Sequence, residues 1–475
     1  MPDILLVVLA VIFVLGIAIN IHELGHFIVA KLFGMRVEAY SFFGLGPRIW
    51  GFKVGHTDYR ISAIPLGAYV KLYGDEATAP LEGGSSDENA GAFLEHRNIR
   101  EIDEEKPAKF GVPESELYEL RPRWQKFLVM IGGPFMNIVL ALAIPFAAAL
   151  IYGIPSMPAP IVGMVSASGA AAQAGIQPAD RIVSFNGIEN PTSERIKDET
   201  LISPDKELSV VVDRGGRQIP LTVRPERRDM DGNSVGEIGL YPDVGVEPVE
   251  AAVVAPDSPA FAGGLLADDR VLTFNGQTVR NSQELTNQIR ENKDAPILLT
   301  VERAGERKEL QLQARLNDDG VYRIGAQFGS GEITARERVG PATAAAFAFD
   351  ANWRIIRLTG RVFGQMFSGE RSVRDAGLAG PVGIVQIISK VVREAGFAGL
   401  FSILAVISLN LGVFNLLPIP LLDGGQILVL GIEKVLSWFG RTLSMAWKER
   451  IQFAGLAVIL LLMVFTLFLD ISRFF

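Results

Sequence analysis

His22 and His26 stand four residues apart, with Glu23 directly after the first. On an α-helix, positions four apart lie on nearly one face, about one turn from each other. Two imidazoles so placed can share one Zn²⁺ at about 2.0–2.1 Å. A carboxylate beside the first ligand can take a proton from a water that the ion has made acidic, and can return it to a leaving amine. The setting sharpens this reading. The three ionisable groups close an apolar run, Ile4–Ile21, that carries no charge and a single Asn. Ionisable side chains in a membrane-length segment cost some kcal/mol each, so a function is the default reading. The pattern predicts a zinc-dependent hydrolytic centre, with His22 and His26 as ligands and Glu23 as base.

Catalytic zinc sites use three protein ligands and an open position, so one ligand is missing. The chain has 4 histidines and no cysteine. His56 and His96 fall in a strand turn and in an acidic loop. Thiolate ligation, thiolate catalysis and a disulfide framework are excluded. A carboxylate next to the membrane would serve better, and Asp423 is the only acid between Ala395 and Ile432. It follows Asn415-Leu-Leu-Pro-Ile-Pro, where two prolines break a helix, and precedes Gly424-Gly425, which let the backbone turn tightly. Two readings stand: a ligand, or an Asp that caps the end of a span. Asn415 also has two. Its amide could bond a substrate backbone or a developing oxyanion, or could tie the broken helix to a neighbour. A polar group inside a membrane bundle favours the first.

These residues need elements to position them. The apolar runs Ile4–Ile21, Phe127–Ile151, Ala395–Leu422 and Ile451–Leu469 carry no charge. Each can cross a hydrocarbon layer of about 30 Å as a helix, which predicts a helical membrane protein with four transmembrane helices. The first run lacks the basic flank and cleavage site of a signal peptide. Lys and Arg cluster at 31–71, 121–126 and 434–450. The positive-inside rule puts these stretches in the cytoplasm, with both termini and the 152–394 segment on the other side. Arg371, Arg374, Lys390 and Arg393 run against that assignment. A net charge of −8 and the lack of a basic motif argue against nucleic-acid binding.

Residues 36–75 read as short strands rich in β-branched and aromatic residues, with turns at Gly44–Pro47 and Gly55–Thr57. Residues 76–124 read as a cytoplasmic loop. The central region repeats itself: 171–187 aligns without gaps on 260–276, matching Gly175 with Gly264, Asp180 with Asp269, Arg181 with Arg270, and both Phe-Asn-Gly triplets. Each copy predicts a short helix, a turn, a strand and an Asn-Gly hairpin. The pattern resembles bacterial PDZ domains, expected here at 160–245 and 246–328. Both copies depart from it, because Ala179 and Asp268 replace the Gly before the Asp. Ile238-Gly-Leu240 and Ile324-Gly-Ala326 resemble the peptide-binding loops of that fold. Residues 335–394 read as amphipathic linker helices. In 343–367, Trp353, Ile356, Phe363 and Phe367 alternate with Arg354, Arg357 and Arg361, which suits a membrane surface or packing on the repeats.

His-Glu-x-x-His in the first span, Leu-Asp-Gly after Asn-x-x-Pro-x-Pro in the third, and intervening PDZ copies together resemble the site-2 protease family. The bacterial regulator-of-sigma-E protease type is most similar. Phe43–Trp50, Pro65–Lys71, Gly132–Asn137 and Leu378–Pro381 also match. The resemblance implies zinc held by His22, His26 and Asp423, with Glu23 as base and Asn415 assisting near the substrate. It implies a membrane-associated β-sheet at 36–73. Gln426 stands where relatives often have His, outside the metal set. The resemblance further implies substrates that are single-span membrane proteins of anti-sigma-factor type, trimmed first by a site-1 protease, in a stress response. Signal-peptide remnants are a further substrate class. The expected location is a bacterial inner membrane, with the PDZ copies and both termini periplasmic. A scaffold that has lost catalysis is the rival from another class, and the intact Glu23 speaks against it.

Overall fold

The computed structural model describes residues 2–64, 67–73, 112–155, 159–166, 168–230, 233–243, 248–317, 321–330, 336–373, 375, 379–441 and 443–472. Most of the expected 76–124 loop lies outside the described residues. The chain divides into two compact units. One comprises Met1–Ile151, Gly340–Ile356 and Leu378–Phe475, and the other Tyr152–Val339 and Arg357–Gly377.

In the first unit, helix α1 (Pro2–Leu32) carries the first apolar run without a break. Its 31 residues reach roughly 46 Å, more than a hydrocarbon layer needs. Gly34, at φ 68°, ends it. Strands β1 (Val37–Phe43), β2 (Leu45–Val54), β3 (Thr57–Ile64) and β4 (Tyr69–Leu72) form a sheet in the order β2-β3-β1-β4. The turn at Gly55 joins β2 and β3 as an antiparallel pair. The turn at Gly44–Pro47 does not join paired strands, because β3, which runs parallel to β1, lies between β1 and β2. At Gly44 the chain crosses the end of β3 so closely that a Cβ would lie 2.6 Å from the carbonyl oxygens of Ser62 and Ile64. Ile49 and Trp50 on β2 are 69% and 61% exposed, an apolar surface uncovered by protein. Helix α2 (Arg123–Tyr152) follows.

The second unit holds both repeats. After β5 (Ile154–Pro155), the first runs β6 (Val162–Val165), α3 (Ala170–Gln173), β7 (Arg181–Phe185), β8 (Ile188–Glu189), α4 (Ser193–Leu201), β9 (Leu208–Arg214) and β10 (Arg217–Val223). A hairpin of β11 (Glu226–Met230) and β12 (Asn233–Glu237) leads to β13 (Leu240–Pro242). The second repeat runs β14 (Val249–Val254), α5 (Pro259–Ala262), β15 (Arg270–Phe274), β16 (Gln277–Thr278), α6 (Ser282–Asn292), β17 (Pro296–Arg303), β18 (Glu306–Gln313), β19 (Arg315–Leu316), β20 (Tyr322–Arg323) and β21 (Ala326–Ser330). Then β22 (Arg336–Glu337) pairs back onto β5.

The repeats match in detail. Asn186-Gly187 and Asn275-Gly276 have positive φ at both positions, as a two-residue hairpin turn of the right twist requires. Ala179 and Asp268 sit at φ 70° and 67°, so the expected glycine conformation is made without glycine. Buried Asp180 is held by Arg214 through two 2.7 Å bonds, and buried Asp269 by Arg303 through two of 2.6 Å. The same guanidinium groups donate to the Gly175 and Gly264 carbonyls at 2.7 Å. Burial would raise both carboxyl pKa values. The bonds from Arg and from the Gln177 and Leu266 amides outweigh it and hold both below the ordinary range.

The remaining helices are α7 (Pro341–Phe367), α8 (Pro381–Asn415), α9 (Asp423–Trp438) and α10 (Met445–Ser472). Within the second unit, Arg361 pairs with Glu199, Arg357 lies 3.9 Å from Asp198, and Gln365 donates to Ile202 O at 3.0 Å. Positions 357, 361 and 365 form one helix face, and they dock on α4. Packing on the repeat, rather than a membrane surface, therefore uses these arginines. Within the first unit, Asn352 Nδ2 donates to Ala141 O of α2 at 3.1 Å. Ala10, Val14 and Ala18 of α1 share a buried cluster with Ile388, Val392, Leu400 and Leu404 of α8. Helix α8 is broken at Gly396 (φ 60°, ψ −152°). Asp470 of α10 accepts from the Gly380 and Gly383 amides at 3.0 Å, which caps the start of α8. Among the described residues, four helical stretches are long and apolar enough to cross a membrane: Ile4–Leu32, Arg123–Tyr152, Ala395–Asn415 and Arg450–Ile471.

Candidate metal centre

Helix α1 presents His22 and His26 from one face, as their spacing requires. Their Nε2 atoms lie 3.2 Å apart. Asp423 arrives from α9, with Oδ2 3.1 Å from His22 Nε2 and Oδ1 3.5 Å from His26 Nε2. All three side chains are about nine-tenths buried. The chain brings Asp423 here by breaking α8 after Asn415. Gly424 and Gly425 press onto the Leu416 and Ile419 carbonyls, where a Cβ would lie 2.3 and 2.1 Å from oxygen. Asp423 sits in the first turn of α9, but the cap residue is Leu422 and no side chain caps the helix. The carboxylate turns to the imidazoles instead.

Helix α2 closes the site. Gly25 faces Gly132 so tightly that a Cβ on Gly25 would meet the Gly132 oxygen at 2.0 Å. A Cβ on Gly133 would lie 2.4 Å from His26 Nε2 and 2.8 Å from His22 Nε2. His26 Nδ1 is 2.7 Å from Val129 O. A carbonyl can only accept, so Nδ1 carries a proton, the arrangement that leaves Nε2 of a neutral ring free to ligate. Glu23 lies close to His22, His26 and Asp423, and to the Val70 backbone of β4. Asn415 Nδ2 is 3.4 Å from His22 Nε2. All five residues singled out in the sequence thus converge. Two further polar residues, which sequence reasoning assigned no role, join them: Asn137 Nδ2 is 3.3 Å from His22 Nδ1, and Ser408 bonds to Asn137. The signal for Asn137 was a lone amide in the uncharged run Phe127–Ile151.

The donor set fits a metal ion. A tetrahedral Zn²⁺ at about 2.0–2.1 Å from each donor places them about 3.3–3.4 Å apart; the two imidazole nitrogens are 3.2 Å apart, and each has one Asp423 oxygen nearby, Oδ2 at 3.1 Å from His22 and Oδ1 at 3.5 Å from His26. Despite its 3.1 Å approach to His22, Asp423 Oδ2 lacks hydrogen-bond geometry and is buried without a hydrogen-bond partner. A buried, unbonded carboxylate oxygen is costly unless a cation takes it. Among the described residues, no other group of three or more His, Asp or Glu is close enough to share an ion.

Such a cluster, with a carboxylate beside it and apolar helices around it, has the form of a membrane metallohydrolase centre. The description of Peptidase family M50 matches residues 10–462, and the chain belongs to this family, that of the site-2 proteases. It is a metalloprotease. Protease RseP of Yersinia pestis is 31% identical over 491 residues, with 100% of each chain covered. Regulator of sigma-E protease RseP of Escherichia coli strain K12 is 29% identical over 489 residues, with 97% of each covered. A relative from Ralstonia nicotianae, 29% identical with 99% of each chain covered, carries a zinc metalloprotease name. Among solved structures, the PDZ domain of an SdrC-like protein from Listeria monocytogenes is similar to 17% of this chain, with 87% of that domain covered, 21% identity and a TM-score of 0.16.

Proposed function

We propose that this chain is an intramembrane zinc protease that hydrolyses peptide bonds in the membrane segments of single-span proteins. The observation that carries the reading is the convergence of His22, His26 and Asp423 at 3.1–3.5 Å, with Glu23 beside them. Zinc would be held by those three residues, and when bound it supplies a Lewis acid that activates water and polarises a carbonyl. Glu23 takes the proton of the attacking water and returns it to the leaving amine. Asn415, on the same side of His22, presents its amide to the substrate backbone or to the charge that develops on its oxygen.

A membrane helix hides its peptide bonds, so the substrate must be cut as an extended strand. In lipid that strand needs backbone partners. Strand β4 supports a place for it. It stands at one edge of its sheet, and its Val70 backbone lies close to Glu23. Pairing with β4 would lay a substrate strand beside the zinc. Four helices spanning the membrane, two PDZ domains on the periplasmic side and periplasmic termini complete the proposal. The likeness to proteins named regulators of sigma-E protease supports anti-sigma factors, already trimmed by a site-1 protease, as substrates, and signal-peptide remnants as a second class. A groove of about 580 Å³ in the second repeat, lined by Ile289, Arg290 and Ile324–Phe328, favours a second reading in which that repeat captures a peptide.

The test compares purified wild-type, His22→Ala and Glu23→Gln proteins. His22→Ala should lose zinc and activity. Glu23→Gln should keep zinc and lose cleavage of a single-span substrate by about 10²–10⁴-fold. A Glu23→Gln protein with no zinc would contradict this division of roles. Single cysteines placed in the cysteine-free chain would report sidedness through their reaction with an impermeant maleimide.

A further inference from the structure

We infer that Asn137 is a positioning residue that holds His22 in its metal-binding tautomer, and that Ser408 fixes Asn137 in turn. The inference rests on the zinc site proposed above. A His that binds metal through Nε2 must carry its proton on Nδ1, and that proton needs an acceptor. For His26 the acceptor is Val129 O. For His22 the group 3.3 Å from Nδ1 is the side-chain amide of Asn137, which is wholly buried. The two ends of an amide are nearly isosteric, so the surrounding bonds decide which end faces the ring. With Nδ2 toward the ring, His22 Nδ1 would have to accept, and Nε2 would hold a proton where Asp423 and the metal belong. With Oδ1 toward the ring, Nδ1–H donates and Nε2 is free to ligate.

The second orientation also satisfies Ser408. Its hydroxyl donates to the Asn137 backbone carbonyl at 2.9 Å, and its oxygen lies 3.3 Å from the far end of the Asn137 side-chain amide. That end is then Nδ2, which donates to Oγ. The His22 Nδ1 proton, the Ser408 hydroxyl proton and one Asn137 Nδ2 proton then each meet an acceptor, and no two donors face each other. Ser408 is itself wholly buried, on the turn of α8 where Gly412 packs against Pro134 and Asn137. The chain Ser408–Asn137–His22 thus links α8, α2 and α1, and sets the proton of one ligand through two neighbouring helices.

The experiment measures zinc affinity by chelator competition on purified full-length protein, with circular dichroism and size exclusion as folding controls. Asn137→Leu should weaken zinc about 10–100-fold. Asn137→Asp, which still accepts from Nδ1–H, should stay near the wild-type affinity. Rescue by Asp is not expected if Asn137 only fills space or only donates. Ser408→Ala should give a smaller loss than Asn137→Leu. A folded Asn137→Leu protein with wild-type affinity would overturn the proposal, as would an Asp variant as weak as Leu. If Asn137→Leu does not fold, Ser408→Ala decides, and unchanged affinity there overturns the proposal. His22→Ala separates the two levels. If it binds zinc as well as wild type, the zinc site itself is wrong. If it loses zinc while Asn137→Leu keeps it, only the positioning role is wrong.

Discussion

At Gly133 the centre leaves room for a hydrogen and nothing more. A methyl there would lie 2.4 Å from His26 Nε2, well inside carbon–nitrogen contact. Backbone borders it on one side and a ligand on the other, so the imidazole has to yield. Gly133→Ala should therefore lose zinc while helical content is kept. Gly364→Ala, at a helical glycine with open space around it, is the control. Wild-type zinc content in purified Gly133→Ala would contradict the close fit. A second residue-scale expectation concerns Ala179 and Asp268, both held at positive φ. An L-residue there costs roughly 1–2 kcal/mol, less for Asp than for Ala, and glycine removes the strain but adds freedom to the unfolded chain. Ala179→Gly should stabilise its repeat by up to about 1 kcal/mol, and Asp268→Gly by less. Hydrogen exchange in the full chain would rank the two. At this scale His22, Glu23, His26 and Asp423 were legible because charge is rare in apolar runs. Gly133, Asn137 and Ser408 were not, because small and neutral residues are ordinary in packed membrane helices. Gly133 and Asn137 fell in a matching stretch that named no role for them; the contacts of Gly133 and Asn137 with the imidazoles, and of Ser408 with Asn137, supply it.

At the scale of elements, the apolar runs marked α1, α2 and α10 well, because length and lack of charge suffice to define a membrane-length helix. The strands at 36–64 were legible from their residue types, but their order was not. Propensity marks a strand without naming its partner, and the parallel pairing of β1 with β3 depends on the close crossing at Gly44. The stretch Leu378–Pro381 likewise stood out in the sequence without a physical reason. The reason lies some ninety residues away, in Asp470. Its carboxylate accepts the amides of Gly380 and Gly383, and a Cβ on Gly380 would meet it at 2.6 Å. This ties α10 to the start of α8, the helix that ends at Asn415. Asp470→Ala would leave two buried amides unbonded at about 1–3 kcal/mol each. The expected outcome is a lower unfolding midpoint and faster exchange at the first turn of α8, with zinc content retained in the folded fraction. An unchanged midpoint would mean that other groups serve those amides.

For the whole molecule the open question is whether the two repeats keep substrates out or bring them in. Their repeated sequence made both legible, since a period carries across a fold where single contacts do not. The pairing of β5 with β22 was not legible, because each is two residues long. It brings the entry and the exit of the tandem together, Ile154–Pro155 against Arg336–Glu337. Removing residues 160–328 therefore cuts between two segments that already lie side by side, and a short linker can rejoin them. The same deletion strips α4 from Arg357, Arg361 and Gln365. An Arg357→Ala/Arg361→Ala protein with both repeats present controls for that loss. If the repeats exclude bulky substrates, the deletion should cut a substrate with an intact outer domain as readily as a trimmed one, while the double variant still prefers the trimmed form. If the groove of the second repeat recruits, the deletion should lose trimmed substrate as well. Exclusion is the expected result. Neither repeat has the glycine usual before its turn Asp, and Asp180 and Asp269 are spent on arginine clamps, which are features of a sturdy spacer. A deletion protein that holds zinc, folds and cuts neither form would count against exclusion and for recruitment.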